Sequence, residues 1–138
     1  MNTMTAIWNG DMAFTHTSGT GHTLVTDVPV EKGGTDLGPT PMELIILGLT
    51  GCMGVDVVSI LKGMRQPLEG LTITATHERA EDHPKVYTEI HVELAFRGDL
   101  DRKKVERAIK LSESKYCSVS AMLKHDARIT RNFTIEGE

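Results

Sequence analysis

The sequence predicts an α+β fold that forms a single domain over residues 1–138, with its elements in the order βββαββααβ. Three observations lead to this prediction: short β-prone runs separated by glycine turns, one long apolar segment, and two alternating runs followed by an amphipathic segment. The composition is that of a globular protein, because 39% of the residues are hydrophobic and 25% are charged.

The charge balance argues against several classes of partner. The net charge is −4 at pH 7 and no long basic run occurs, so we expect neither nucleic acid nor an anionic membrane as a partner. The first residues contain neither a basic segment nor an apolar segment of the signal-peptide type, so we expect a cytoplasmic protein. In such a protein the two cysteines are either inert thiols or redox groups, and a structural disulfide is not expected.

The N-terminal part carries three short β-prone runs, MTAIW, MAFTHTS and HTLVTD. Asn9-Gly10 separates the first two runs and SGTG separates the next two, which predicts a three-stranded meander. The stretch VEKGGTDLGPTP that follows is rich in glycine and proline, and it predicts a loop over residues 30–41.

A long helix is predicted from Pro41 to about Gly63. Thr40 and Glu43 form a capping box around Pro41, which occupies the first helical position, where proline is well tolerated. The apolar stretch approaches the length of a membrane span, but a carboxylate such as Asp56 is costly in lipid. We therefore expect a buried core helix and no membrane partner.

The next two runs, LTITATHERAE and VYTEIHVELAF, flank DHPK and predict a long antiparallel hairpin. With DHPK as the turn, Ile73 pairs with Leu94 and Arg79 pairs with Thr88. Both strands then have one apolar face, and Arg79 lies on that face near the turn. Arg79 there either pairs with a carboxylate or thiolate, or extends to solvent at the edge of the sheet.

The C-terminal part predicts two helices and a final strand. DRKKVERAIKLSESKY is amphipathic, with Val105, Ala108 and Ile109 on its apolar face. CSVSAMLKH predicts a second, shorter helix, and ARITRNFTIEG predicts the closing strand.

The long helix carries Gly48, Cys52, Asp56 and Ser59 on one face. A stripe of small residues allows another element to approach closely, in which case Cys52 is a small apolar residue, or it leaves room for a substrate beside a thiol. An ionised Asp56 one turn away would raise the pKa of the Cys52 thiol, so we expect an activating cation nearby. Cys117 is predicted to begin the second short helix, whose dipole would lower its pKa.

Short metal-binding motifs are absent from the sequence. The six histidines form no HxxxH or HExxH pattern and the cysteines form no CxxC, so we expect no dedicated zinc site and no bound cofactor. Spacing alone does not show whether Cys52 and Cys117 meet.

Two segments, GPTPMELIILGLTGCMGVDVVSILKGMR and LSESKYCSVSAMLKH, resemble the OsmC/Ohr family of osmotically induced and organic hydroperoxide resistance proteins, and in particular its YhfA-like branch. The resemblance covers nearly the whole chain. It implies an intertwined homodimer with antiparallel sheets around central helices. It also implies that Cys52 attacks an organic hydroperoxide, that Cys117 resolves the resulting sulfenic acid as a disulfide, and that an external dithiol reduces this disulfide.

Two positions depart from the peroxidase members of that family. Those members place an arginine in the N-terminal strands and a glutamate directly after the helix proline. Here the corresponding strands lack arginine, and the glutamate is one residue later, at Glu43. Arg79 and His22 are the candidates for the missing cation, and Glu43 is the candidate for the carboxylate.

The function expected from these residues is the thiol-dependent reduction of organic hydroperoxides in oxidative-stress defence. Two alternatives stay open at this point. One is a non-catalytic protein that binds a small apolar ligand at a dimer interface, and the other is a redox sensor whose disulfide reports oxidation.

Overall fold

The computed structural model describes residues 2–138, and its helices and strands follow the predicted order βββαββααβ. The backbone forms two compact units that divide between Leu47 and Gly48, within the long helix. The strands are β1 (Thr5–Trp8), β2 (Phe14–Thr17), β3 (Thr23–Thr26), β4 (Leu68–Arg79), β5 (Tyr87–Gly98) and β6 (Arg128–Ile135). The helices are α1 (Pro41–Gly63), α2 (Arg102–Leu111) and α3 (Ser118–Leu123), with a 3₁₀ turn at Val30–Lys32 and a π-helical turn at Ser112–Tyr116.

In the first unit, β1, β2 and β3 form the predicted antiparallel meander. Gly10 and Gly21 adopt φ angles of 97° and 88° in the two turns, a conformation that glycine takes without strain. These short strands leave large apolar side chains exposed, among them Ile7, Trp8 and Leu24. The sheet therefore has apolar surface that its own unit does not cover.

The loop that follows β3 is organised around the carboxylate of Asp27, which is only 1% exposed. The carboxylate accepts hydrogen bonds from the Thr35 hydroxyl at 2.6 Å and from the backbone N–H groups of Val28 at 2.7 Å and Leu37 at 3.1 Å. These bonds, first of all the one from the Thr35 hydroxyl, lower the pKa of Asp27, although burial acts in the opposite direction. The charged form of Asp27 therefore stabilises the loop.

Replacing Asp27→Asn should lower the melting temperature at pH 7. The Asn side chain has one neutral acceptor oxygen, whereas the Asp27 carboxylate has two charged ones and uses both. The pKa of Asp27 in the folded state lies below its ordinary value of 3.8. The stabilisation is therefore present above that value and is lost as the pH falls through the folded pKa. Circular dichroism melts between about pH 5 and pH 3 should show a steeper loss of stability for the wild type than for Asp27→Asn. Glu31→Gln, an exposed position in the same loop, is the control, and parallel curves for wild type and Asp27→Asn would contradict this role.

The first turn of α1 contains the predicted capping box. The Glu43 N–H donates to the Thr40 hydroxyl oxygen at 3.2 Å, and the Thr40 N–H donates to the Glu43 carboxylate at 2.9 Å. Two backbone donors that the helix leaves without partners are thus satisfied. The helix then runs to Gly63, as the sequence predicts.

The prediction that α1 is a buried core helix is correct for one face only. Leu49, Met53, Val57 and Leu61 follow one another at intervals of four and are at most 1% exposed. Val55 lies on the other side and is 70% exposed. Length and composition alone would allow α1 to cross a membrane, and 28% of its most apolar window is buried in the structure.

The second unit contains the hairpin of β4 and β5 in the predicted register over most of its length, with Ile73 opposite Leu94. A bulge directly before Arg79 shifts the end of the hairpin by one residue, so Arg79 lies opposite Tyr87 and not opposite Thr88. The predicted register is therefore correct up to Glu78 and wrong from Arg79 to the turn.

The strand β6 also departs from the prediction. It pairs with β5 in parallel, with Ile90 opposite Ile129 and Phe96 opposite Ile135, so the second sheet is mixed and not antiparallel throughout. The physical reason is the connection, because α2 and α3 carry the chain back along the sheet before β6 begins.

The inner face of β5 is the centre of the core, together with the apolar faces of α1 and α2. The residues of β5 and α2 in this core are at most 1% exposed: Ile90, Val92, Leu94, Phe96, Val105, Ala108 and Ile109.

Candidate functional site

The two cysteines lie side by side, although 65 residues separate them in the sequence. The Sγ atoms of Cys52 and Cys117 and a carboxylate oxygen of Asp56 all lie within 4.8 Å of one another. Both thiols are free, Cys52 is half-buried, and Cys117 is 3% exposed. A disulfide requires an S–S distance of about 2.05 Å, so the two sulfurs would have to come closer by at most about 3 Å to form one.

The glycines around Cys52 differ in their surroundings. A Cβ atom on Gly54 would lie 3.2 Å from Cδ1 of Ile73 on β4, whereas one on Gly48 or Gly51 would meet no atom within 4 Å. Gly48, the glycine of the predicted stripe, therefore has no other element of the described residues 2–138 packed closely against it, and the close approach on α1 occurs at Gly54, which lies outside that stripe. Gly51 instead opens space beside Cys52.

The chain reaches Cys117 through the π-helical turn Ser112–Tyr116. The Cys117 N–H donates to the carbonyl of Ser112 at 2.7 Å, which closes this wide turn. Ser112 is fully buried, and its hydroxyl donates to the Asp56 carboxylate at 3.0 Å. Turns of this type often occur at functional sites. Here one turn links the Cys117 segment to the carboxylate on α1.

Cys117 begins α3, as the sequence predicts, and its sulfur accepts the backbone N–H of Ser120 at 3.4 Å. The expected lowering of its pKa is wrong. Burial raises the pKa of the Cys117 thiol, Cys52 and Asp56 add to the increase, and the Ser120 N–H opposes it. The reason is that burial disfavours the charged thiolate more than the one N–H at the start of α3 favours it.

Asp56 has a different partner from the cation that the sequence suggested. Its carboxylate accepts the Ser112 hydroxyl, and no nitrogen of a Lys, Arg or His side chain within residues 2–138 lies within 4.0 Å of it. Asp56 was visible in the sequence as a neighbour of Cys52 at i+4. Ser112 was missed as a site residue, because no sequence pattern reveals a π-helical turn.

The structure does not bring Arg79 to the cysteines of the same chain. Arg79 is exposed, its Nε donates to the carbonyl of Lys85 at 2.8 Å, and its guanidinium carbon lies 5.9 Å from the centre of the Tyr87 ring. The contact of β4 with α1 is at Ile73, six residues earlier, which corresponds to about 20 Å along a strand. The contacts of Arg79 stabilise the hairpin loop.

The other two predicted site residues, Glu43 and His22, make local contacts within the first unit. Glu43 is part of the capping box of α1. The His22 ring is hydrogen-bonded to the Thr20 hydroxyl at 3.0 Å, and the His22 N–H donates to the Ser18 hydroxyl oxygen at 3.0 Å. Both residues thus have structural roles in a helix start and in a turn.

Two open depressions adjoin the segment of α1 that carries Cys52 and Asp56. The larger one, here called the apolar groove, has a volume of about 590 Å³ and lies between α1 and β4. Its lining includes Gly51, Gly54, Val55, Val58, Leu71 and Ile73. The smaller cleft has a volume of about 340 Å³ and is lined by Asp56, Ser59, Ile60 and Tyr116. A small organic molecule can therefore approach this part of α1.

Residues 33–132 match the family described as OsmC-like protein. Protein YhfA of Escherichia coli (strain K12) is 35% identical over 129 residues, which cover 93% of this chain and 93% of that protein. The crystal structure of a hypothetical protein from Aquifex aeolicus VF5 is 32% identical with a TM-score of 0.83, covering 99% of this chain and 98% of that chain. The organic hydroperoxide resistance protein OhrB of Bacillus subtilis is similar in fold, with 20% identity, a TM-score of 0.65 and coverage of 97% and 98%.

Proposed function

The chain belongs to the OsmC-like protein family, and we propose that it reduces organic hydroperoxides with Cys52 as the attacking thiolate and Cys117 as the resolving thiol. The observation that supports this most directly is the distance between the two sulfurs. They lie within 4.8 Å of each other, although 65 residues separate the two cysteines in the sequence. The name of OhrB from Bacillus subtilis, an organic hydroperoxide resistance protein of the same fold, is in line with this role.

The proposed reaction needs no redox group other than sulfur. The Cys52 thiolate attacks one oxygen of the hydroperoxide, the O–O bond breaks, and the alkoxide takes up a proton and leaves as an alcohol. Cys52 is now a sulfenic acid. The Cys117 sulfur attacks the Cys52 sulfur, water leaves with the thiol proton, and a disulfide forms. An external dithiol then reduces the disulfide and becomes oxidised itself.

The exposure of the two thiols matches these two roles. Cys52 is half-buried, so a substrate can reach it, whereas Cys117 is almost fully buried and can meet only a group that is already inside the site. The apolar groove begins at Gly51 and Gly54, on either side of Cys52 in the sequence. We propose that this groove holds the hydrocarbon part of the hydroperoxide.

Turnover with cumene hydroperoxide and dihydrolipoamide tests this proposal. Cys52→Ser should reduce the rate of peroxide consumption to that of the reaction without protein, since no other cysteine can form the sulfenic acid at this position. Asp82→Asn is the control and should keep the wild-type rate, because Asp82 is an exposed carboxylate in the hairpin loop. Equal rates for Cys52→Ser and wild type would exclude the peroxidase function.

The apolar groove also favours a second candidate function, the binding of a small apolar molecule without catalysis. Val55, Val58, Leu71 and Ile73 give the groove a largely apolar wall that suits a hydrocarbon ligand, and Lys62 and Ser59 supply polar groups in the same lining. Native mass spectrometry of the freshly purified protein distinguishes the two functions. A co-purified apolar ligand in a protein without peroxidase turnover would support the second.

We further propose that two copies of the chain form a homodimer that covers the apolar groove. Val55 in the groove is 70% exposed, and Val58, Leu71 and Ile73 line the same groove. Soluble single chains rarely leave contiguous apolar surface of this kind uncovered. A second copy of the chain is a partner that carries a complementary apolar surface of the same type.

A further inference from the structure

The residues of the proposed redox site also form a set of metal donors. We propose that the reduced chain binds Zn²⁺ through Cys52, Asp56 and Cys117. Their two sulfurs and one carboxylate oxygen lie within 4.8 Å of one another. Tetrahedral zinc, with Zn–S distances of about 2.3 Å and Zn–O distances of about 2.1 Å, requires donor separations of roughly 3.5–3.8 Å. The three donors therefore need to move together by about 1 Å.

The surroundings of these donors resemble the outer shell of a zinc site. The Ser112 hydroxyl donates to one oxygen of Asp56 at 3.0 Å, which orients the carboxylate while leaving it a second oxygen for a metal. The Ser120 N–H donates to the Cys117 sulfur at 3.4 Å, a bond that becomes stronger when the sulfur is a thiolate. Both serines are at most 3% exposed. Outer hydrogen bonds of this type hold metal ligands in place.

The donor set selects the metal by its chemistry. Two thiolates favour zinc over magnesium and calcium, which prefer sites built from several oxygens. Three protein ligands leave a fourth position for water or another small ligand, and the cleft lined by Asp56, Ser59 and Tyr116 gives access to it. Short sequence motifs do not reveal this site, because its donors come from α1 and from the start of α3.

Zinc binding is an exchange of protons for a metal ion and involves no electron transfer. Each of the two thiols loses its proton, so the binding of one Zn²⁺ releases two protons. The metal and the disulfide exclude each other, since both require both sulfurs. Zinc binding itself needs only the reduced thiols and does not depend on peroxidase activity, so either property can be present without the other.

The test uses the reduced, metal-free full chain. Titration with Zn²⁺ against a chromogenic chelator should give one zinc per chain with the release of two protons. Co²⁺ as a spectroscopic probe should give thiolate-to-metal bands in the near ultraviolet. Oxidation to the disulfide should release the bound metal. Added zinc should also raise the melting temperature of the wild type, because it binds only the folded site.

Variants separate this site from adventitious binding. The double variant Cys52→Ser/Cys117→Ser keeps all six histidines and should lose the near-ultraviolet bands and the stoichiometric zinc. Ser112→Ala should weaken binding about 10–100-fold, as expected for an outer-shell residue, and Asp56→Asn should weaken it at least as much. Asp82→Asn, an exposed carboxylate in the hairpin loop, should bind like the wild type.

Two results would overturn the proposal. The first is equal zinc stoichiometry and affinity in the wild type and the double cysteine variant, which would assign the metal to surface histidines. The second is unchanged affinity in Asp56→Asn, which would remove the carboxylate from the ligand set. A circular dichroism spectrum like that of the wild type is required of each variant, so that a loss of zinc binding is not a loss of fold.

Discussion

Treatment of the reduced protein with one equivalent of cumene hydroperoxide should yield a single intrachain disulfide between Cys52 and Cys117, seen as the loss of two hydrogens in the intact mass. The two sulfurs already lie within 4.8 Å of each other, so the second step has to bring them closer by at most about 3 Å to reach the S–S bond length of about 2.05 Å. Peptide mapping without reduction should find the Cys52 and Cys117 peptides joined. Two free thiols after complete consumption of the peroxide would contradict the proposed mechanism.

The single-cysteine variants should separate the two steps. Cys117→Ser should stop at the sulfenic acid of Cys52 and gain one oxygen in mass, because no second thiol can displace water. Cys52→Ser should keep its mass under the same treatment, since Cys117 is almost fully buried and out of reach of the peroxide. Oxidation of Cys117 in the Cys52→Ser variant would reverse the assignment of the attacking and resolving thiols.

The resolving step should accelerate with increasing pH. Burial raises the pKa of Cys117 and Asp56 adds to the increase, so little Cys117 thiolate exists at neutral pH. Asp56→Asn removes one negative charge from the site and should lower the pKa of Cys117. The disulfide should then form faster at a given pH than in the wild type, in stopped-flow measurements that follow the loss of sulfenic acid. A pH-independent rate in both proteins would exclude Cys117 ionisation as the controlling step.

The sequence predicted the parts of the fold that depend on neighbouring residues. The capping box of Thr40 and Glu43 and the start of α1 follow from four consecutive residues, and both are confirmed. The pairing of Ile73 with Leu94 follows from the alternation of apolar residues in two strands joined by one short turn, and it is confirmed as well. The bulge before Arg79 was not predictable, because no glycine or proline marks it.

The site itself depends on contacts between distant segments, which explains why the sequence predicted it only in part. Cys52 and Asp56 share a face of α1 by helical spacing, and this was visible. Cys117 lies beside these two residues because a π-helical turn precedes it, and this turn places the buried Ser112 next to Asp56. The low exposure of Cys117 follows from the same tertiary packing. The sequence shows only that Cys117 begins a helix, so it predicted the wrong direction for the pKa of this thiol.

Replacing Val55→Glu should convert the protein from a dimer to a monomer of 15.2 kDa in multi-angle light scattering at micromolar concentration. Val55 lies in the apolar groove and is 70% exposed, so the chain itself tolerates a charge there. Lys62 also lines the groove, but a partner chain that covers the groove would still take the new carboxylate out of water. This costs several kcal/mol, and each 1.4 kcal/mol weakens association about tenfold.

The control for this experiment is Thr72→Glu. Thr72 lies on β4 between Leu71 and Ile73, which both line the groove, but its side chain points to the opposite, exposed face of the sheet. The same charge is thus introduced on the same strand, outside the groove, and we expect a dimer of the wild-type mass. A monomeric wild type would exclude the homodimer altogether. A dimeric Val55→Glu protein would show that the partner chain does not cover Val55.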